Sequence, residues 1–209
     1  MLQLPDSFKT YVEHIVYINL DGRKDRKNHI TSQLLNFDAN RINRLPAVKE
    51  PNNPALGCTK SHLKALQMAK HHKWGNVLVL EDDAVLANLD SAYPIFEQLV
   101  KKPYDVIMLG GTMSEYDKHT YRVKKSQASS SYLVHQSYYD TFIAQIEKII
   151  AEFKPTVSTE KNIAVDLAVF KPLQERDNWF IVKPSLFVQQ KGYSNIQGRN
   201  VQYDDLFDK

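Results

Sequence analysis

Apolar and polar residues along the chain alternate between two rhythms. Near-continuous apolar runs, HIVYINL at 14–20, VLVL at 77–80 and DVIMLGG at 105–111, read as buried strands. Between them apolar residues return every three or four positions. Ile30, Leu34 and Phe37 predict a helix over 23–37, and Leu63, Leu66, Met68 and Ala69 predict another over 57–74. A third helix is expected over about 91–101, a short strand over 41–48, and a loop in the proline- and asparagine-rich 49–56. Further on, 119–125 and 128–135 read as shorter, half-exposed strands, and 137–153 as an amphipathic helix. Residues 161–173 read as a short helix with Pro172 near its end, and 179–196 as two short strands around Pro184.

Strands alternating with helices of this length predict an α/β fold, one mixed Rossmann-like sheet flanked by helices. The absence of a linker or internal repeat predicts a single domain over 1–209. Composition is that of an ordinary globular chain, 43% hydrophobic and 24% charged. A net charge of +3, from 27 basic and 24 acidic side chains, argues against a dedicated nucleic-acid binder. The one cysteine, Cys58, rules out an intrachain disulfide and favours a reducing compartment. The first residues lack the pattern of a signal peptide, and no apolar run approaches a membrane span. A cytoplasmic protein, touching at most a membrane-bound acceptor, is the expectation.

The densest chemistry stands at VLVLEDDA, 77–84, where a buried strand runs into Glu81, Asp82 and Asp83. In open α/β sheets ligands bind beyond the carboxyl ends of the strands. Side-chain alternation predicts that Glu81 and Asp83 share one side and Asp82 faces the other. Hard cations, Mn²⁺ or Mg²⁺, take a few such carboxylates and complete their shell with water and phosphate. Three adjacent acids would repel one another, and a bound cation removes that repulsion.

Other segments combine with this one. INLDGRKDR at 18–26, GCTKSH at 57–62 and VLVLEDD at 77–83 together resemble glycosyltransferase family 25. DVIMLGG, the SSYLV strand, VDLAVF at 165–170 and SLFVQQKGYSNI at 185–196 follow in that family's order, so the resemblance spans roughly 14–196. The family includes bacterial lipooligosaccharide galactosyltransferases and procollagen galactosyltransferases. Gly22 stands where it often has Arg, and Asn195 where it usually has Asp.

The resemblance implies a GT-A-like fold, with residues 14–110 forming the nucleotide-sugar and metal half and 111–196 the acceptor half. It implies an inverting, metal-dependent transfer of a hexose, galactose by preference, from a UDP-sugar to a hydroxyl of a glycan or protein. On that reading Glu81, Asp83 and Asp82 hold the metal, and Asp166, inside the apolar AVDLAVF run, is the base. Asn19 and Asp21 would meet uracil or ribose, and Arg23 and Arg26 the diphosphate. Ser61 and His62, taken as early in their helix, would contact phosphate or sugar, and Gly110 and Gly111 would let the sugar approach the backbone. Gln189, Ser194 and Asn195 would line the acceptor side or the metal's surroundings.

Plainer readings stand beside several of these. His62 can be a buried core histidine, Cys58 a small packing residue, the glycine pair a turn, and Asp166 a capping or salt-bridged acid. Lys24 and the neighbours His71 and His72 read as surface. Two other functions remain open. One is metal-dependent nucleotidyl or phosphoryl transfer, although the chain lacks a GxxxxGK[ST] loop. The other is a degenerate GT-A module that binds glycan without turnover.

Overall fold

The computed structural model describes residues 3–154, 160–194, 198–202 and Phe207. A six-stranded mixed sheet forms the centre, built from β1 (His14–Asn19), β2 (Ile42–Pro46), β3 (Asn76–Glu81), β5 (Val106–Met108), β8 (Ser131–His135) and β9 (Trp179–Ile181) in the order β2-β1-β3-β8-β5-β9. β1 pairs parallel with both β2 and β3, and β5 with β9. β8 runs antiparallel between β3 and β5. Short pairs stand outside this sheet: β4 (Ala84–Leu86) with β10 (Phe187–Gln189), β6 (Thr112–Tyr116) with β7 (Val123–Gln127), and β11 (Gly192–Ser194) with β12 (Arg199–Val201).

Both faces of the sheet are covered, and the two-residue period of the strands sorts the core into two clusters. Val16, Val77, Val79, Val106 and Met108 face one way, onto α3 (Pro54–His71) and α5 (Tyr139–Glu152). Ile15, Tyr17, Leu78, Leu80 and Ile107 face the other, with Phe8 of α1 (Phe8–Tyr11), Ile30 of α2 (Lys24–Gln33) and Phe96 of α4 (Leu89–Val100). This is the mixed sheet with flanking helices that the apolar rhythm predicts.

Three elements depart from expectation. α3 begins at Pro54, inside the predicted loop, because Asn53 Oδ1 accepts from Leu56 N–H and proline fits the first helical turn without losing a bond. β8, expected to be half-exposed, is buried at four of its five residues because it fills the middle of the sheet. The segment expected as one short helix is a wide π turn, Val165–Phe170, continuing into α6 (Lys171–Arg176). Pro172 therefore opens an α-helix rather than ending one.

The chain runs from β1 outward to β2 on one side, then returns to β3 on the other. That reversal makes the carboxyl ends of β1 and β3 a topological switch point, where loops splay apart and leave a crevice. Asn19 and Glu81 are the last residues of these two strands.

Candidate active site

A cavity of about 470 Å³ opens at that switch point. Its lining includes Arg23, Arg26, Ser61, His62, Glu81, Asp82, Asp83, Asp166, Gln189 and Ser194 from the expected set. Five expected residues are absent from the lining or from the description. Asn19, Asp21, Gly110 and Gly111 do not line the cavity, and Asn195 lies outside the described residues.

Each acid of the triplet has a different surrounding. β3 ends at Glu81, so strand alternation stops there and does not carry Asp82 to the opposite side. Asp82 and Asp83 instead sit in a turn and share one guanidinium nitrogen. Arg26 Nη1 donates to Asp82 Oδ1 and to Asp83 Oδ2, both at 3.0 Å. Asn19 Nδ2 donates to the other oxygen of Asp82 at 2.7 Å, which leaves both oxygens of that carboxylate engaged. Asp83 Oδ1 is buried with no hydrogen-bond partner among the described residues.

Burial, reinforced by the charges of Glu81 and Asp82, pushes the Asp83 carboxyl up to about 7. Glu81 is held below the ordinary range: burial pushes it up, but the His62 contact, the Ser129 hydroxyl and the Arg26 charge outweigh that. Ser129 Oγ donates to Glu81 Oε1 at 2.6 Å. The pairing of β10 with β4 sets Gln189 opposite Ala84, and Gln190 N–H donates to the backbone oxygen of Asp83.

Asp166 lies on the π turn, partly exposed to the cavity. Ala128, at φ 76° in the left-handed region, donates its N–H to Asp166 Oδ2 at 3.2 Å. Burial raises the Asp166 carboxyl, the Ala128 bond lowers it, and the Glu81 charge raises it again, for a net upward shift. No lysine ion pair to Asp166 exists among the described residues, so the salt-bridged alternative with Lys161 or Lys171 is not found.

Several expected contacts turn inward. Ser61 and His62 lie about two turns into α3, not at its start, so they cannot draw on unpaired helix-terminal N–H groups. Ser61 Oγ donates to Gly57 O and accepts from Val48 N–H, which holds the loop before α3 against the helix. His62 is fully buried, with Nδ1 2.7 Å from the Tyr132 hydroxyl and Nε2 3.3 Å from Glu81 Oε1.

Asn19, also buried, holds Asp82 with its amide nitrogen, while its Oδ1 accepts from Arg44 Nε. Asp21 is exposed and pairs with Arg44 at 2.6 Å. A side chain at Gly110 would run into the carbonyl oxygen of Phe187, and one at Gly111 into Ser126 Oγ and Ile181. Close internal packing therefore accounts for the glycine pair.

Arg23 pairs with Asp25, and Arg26 Nη2 also donates to Tyr193 O at 2.8 Å, linking α2 to β11 over the acids. The sequence reading missed Thr112, Met113, Ala128 and Ser129, and the Val48–Lys49–Glu50–Pro51 rim. Met113 and Ala128 both hold positive φ, which no local sequence signal announces in residues other than glycine, asparagine or aspartate. Cys58 also lines the cavity, and burial with nearby negative charge holds its thiol well above the ordinary range.

No family model matches the chain, and no curated sequence does. Solved structures similar to it include mannose-1-phosphate geranyltransferase from Thermus thermophilus, at TM-score 0.49 and 11% identity over 81% of this chain and 72% of that one. A glycosyltransferase involved in the glycosylation of the major capsid of PBCV-1 aligns at TM-score 0.49 and 10% identity, over 84% and 92%. A197 from STIV aligns at TM-score 0.42 and 10% identity, over 90% and 93%. Likenesses at this level carry no argument about chemistry, which rests on the site itself.

Proposed function

We propose that the chain is a metal-dependent inverting glycosyltransferase that moves a hexose, galactose by preference, from a UDP-sugar to a hydroxyl of a glycan or protein. One observation carries this reading. A single cavity at the switch point of the sheet brings together three carboxylates, two arginines and the separate, raised carboxyl of Asp166. The family-25 resemblance supplies the substrate class and rests on the sequence motifs alone.

The residues present fit a hard divalent cation, Mn²⁺ or Mg²⁺. Asp83 Oδ1 is buried with no hydrogen bond among the described residues, and its carboxyl lies in a field negative enough to hold a proton near neutrality despite the Arg26 charge and a Gln189 side-chain contact. Asp83 and Glu81 would hold the ion; Asp82, with both oxygens engaged, would position Arg26 instead. When bound, the cation supplies neutralisation of charge on the departing diphosphate. Arg26 and Arg23 face the same space and would pair with the remaining phosphate oxygens. Asp166 would take the proton of the acceptor hydroxyl as its oxygen bonds to the anomeric carbon and the bond to diphosphate breaks. Its partial burial suits it to that work. Gln189 and Ser194 would bound the acceptor side.

A second reading draws on one specific observation. Arg26 already sits between Asp82 and Asp83 and supplies them with positive charge. A module that binds a glycan or nucleotide without metal or turnover would keep that arrangement. Calorimetric titration of UDP, UDP-galactose and UDP-glucose, with Mn²⁺ and with chelator, separates the two. The transferase reading expects UDP binding that requires Mn²⁺ and is lost in Asp83→Ala. Binding indifferent to chelator and to Asp83→Ala would move the assignment to the metal-free module. A triphosphate that competes far better than UDP would favour phosphoryl transfer.

A further inference from the structure

Cys58 Sγ, a ring nitrogen of His62 and a carboxylate oxygen of Glu81 all lie within 4.8 Å of one another. Cys58 and His62 are four residues apart on α3 and so share one of its faces, while Glu81 reaches the same point from the end of β3. All three are among the residues lining the cavity, and the Glu81 side chain is partly exposed to it.

The second observation concerns His62 itself. The residue is fully buried, and its Nε2 has no hydrogen-bond partner among the described residues. A buried imidazole nitrogen is ordinarily paired, and the group this one faces is the Glu81 carboxylate. Nε2 stands 3.3 Å from Glu81 Oε1, a contact that helps to hold the Glu81 carboxyl low. Its other nitrogen is fixed by the Tyr132 hydroxyl, the kind of contact that orients a metal-binding imidazole.

The spacing has a simple geometric meaning. Nitrogen and oxygen donors at about 2.0–2.1 Å from a tetrahedral Zn²⁺ stand about 3.3 Å from each other. The Nε2 to Oε1 distance of 3.3 Å therefore already equals one edge of such a tetrahedron. The Cys58 sulfur lies within 4.8 Å of both of these groups.

We propose that Cys58, His62 and Glu81 form a cation site for a borderline-soft divalent metal of the Zn²⁺ class, with its fourth position open to the cavity. Thiolate and imidazole together select such ions over Mg²⁺, which prefers an all-oxygen shell. Glu81 is common to this site and to the hard-cation arrangement with Asp83. A thiophilic ion therefore takes a carboxylate away from that arrangement and inhibits transfer. The inhibition rests on the transferase reading; the soft-metal site does not.

Cobalt substitution tests the site without reference to activity. Cys58 is the chain's one cysteine, so a sulfur-to-cobalt charge-transfer band in the near ultraviolet can arise only from it. Titrating Co²⁺ into the reduced, metal-free full chain is expected to produce that band with an end point of one ion per chain. One equivalent of Zn²⁺ should abolish it, and excess Mg²⁺ should not. Cys58→Ser should remove the band, and both Cys58→Ser and His62→Gln should weaken Zn²⁺ binding by roughly tenfold or more.

Absence of the band from the unaltered protein overturns the site, and so does an end point of one ion per two chains. Zn²⁺ affinity unchanged in both variants overturns it as well. Should either variant fail to fold, the unaltered protein's spectrum still decides. A cobalt band with no UDP binding would sink the transferase reading and leave this site standing; the reverse would sink this site alone.

Discussion

At the scale of single residues, the acid triplet divides into three tasks that its sequence does not distinguish. Asp82 is saturated by Asn19 and Arg26, Glu81 is held low by His62 and Ser129, and Asp83 Oδ1 is buried with no hydrogen bond among the described residues. For the metal-free protein the Asp83 carboxyl has a testable sign. Its folded value, about 7, lies above the ordinary 3.8, so the folded state holds the proton more tightly. The stability it contributes is complete below about 4 and is lost as pH rises toward 7. In chelator, Asp83→Asn should therefore be more stable than the unaltered protein at pH 8 and no more stable at pH 4, as read by urea denaturation. Equal differences at both pH values would refute that environment for Asp83. Asp166→Asn should abolish sugar transfer while sparing UDP binding, and retained transfer would remove it from the base's role. That the acids and Asp166 would meet in one cavity was partly legible, because charge at the end of an apolar run, or inside one, needs a reason. The inward turning of Asn19, Ser61 and the glycine pair was not, since it depends on what the fold brings against them from far along the chain.

At the scale of elements, the informative error is the start of α3. Residues 49–56 look like a loop because proline and asparagine cluster there, yet Asn53-Pro54 is also a helix-start pair. The true start moves Ser61 and His62 two turns inward and replaces a proposed anion site with packing and a metal-like cluster. Asn53→Ala should cost about 1 kcal/mol in urea unfolding, the usual value of such a cap. A loss near zero would show that Pro54 and the Ser61 contact to Val48 suffice without it. β8 was misjudged for a different reason. Its ASSS lead-in is polar, but Ser130 and Ser131 are buried where β8 enters between β3 and β5. Polarity there records its place in the middle of a sheet near a polar cavity, not exposure.

At the scale of the whole molecule, two apolar clusters hold one sheet between them, and one of them contains a knot of aromatic rings. Phe142 is fully buried, with the rings of Tyr132, Tyr138, Phe170 and Trp179 at centroid distances of 5.5–5.9 Å from its own. Phe142→Ala should destabilise the protein by about 3–5 kcal/mol, measured by denaturant unfolding. A cost under about 1 kcal/mol would mean the cluster collapses to fill the gap. The α/β class followed from the apolar rhythm because period and length are local properties. Strand order did not, because nothing local says that β8 inserts between two earlier strands.

That insertion has a consequence for how the chain is made. When the ribosome has released residues up to 110, β3 and β5 have emerged without the strand that joins them, so β3 exposes one unpaired edge and β5 two. The nascent sheet cannot close until β8, ending at His135, has also cleared the exit tunnel. Until then those edges are open to edge-to-edge association, and slower translation before residue 135 would lengthen that exposure.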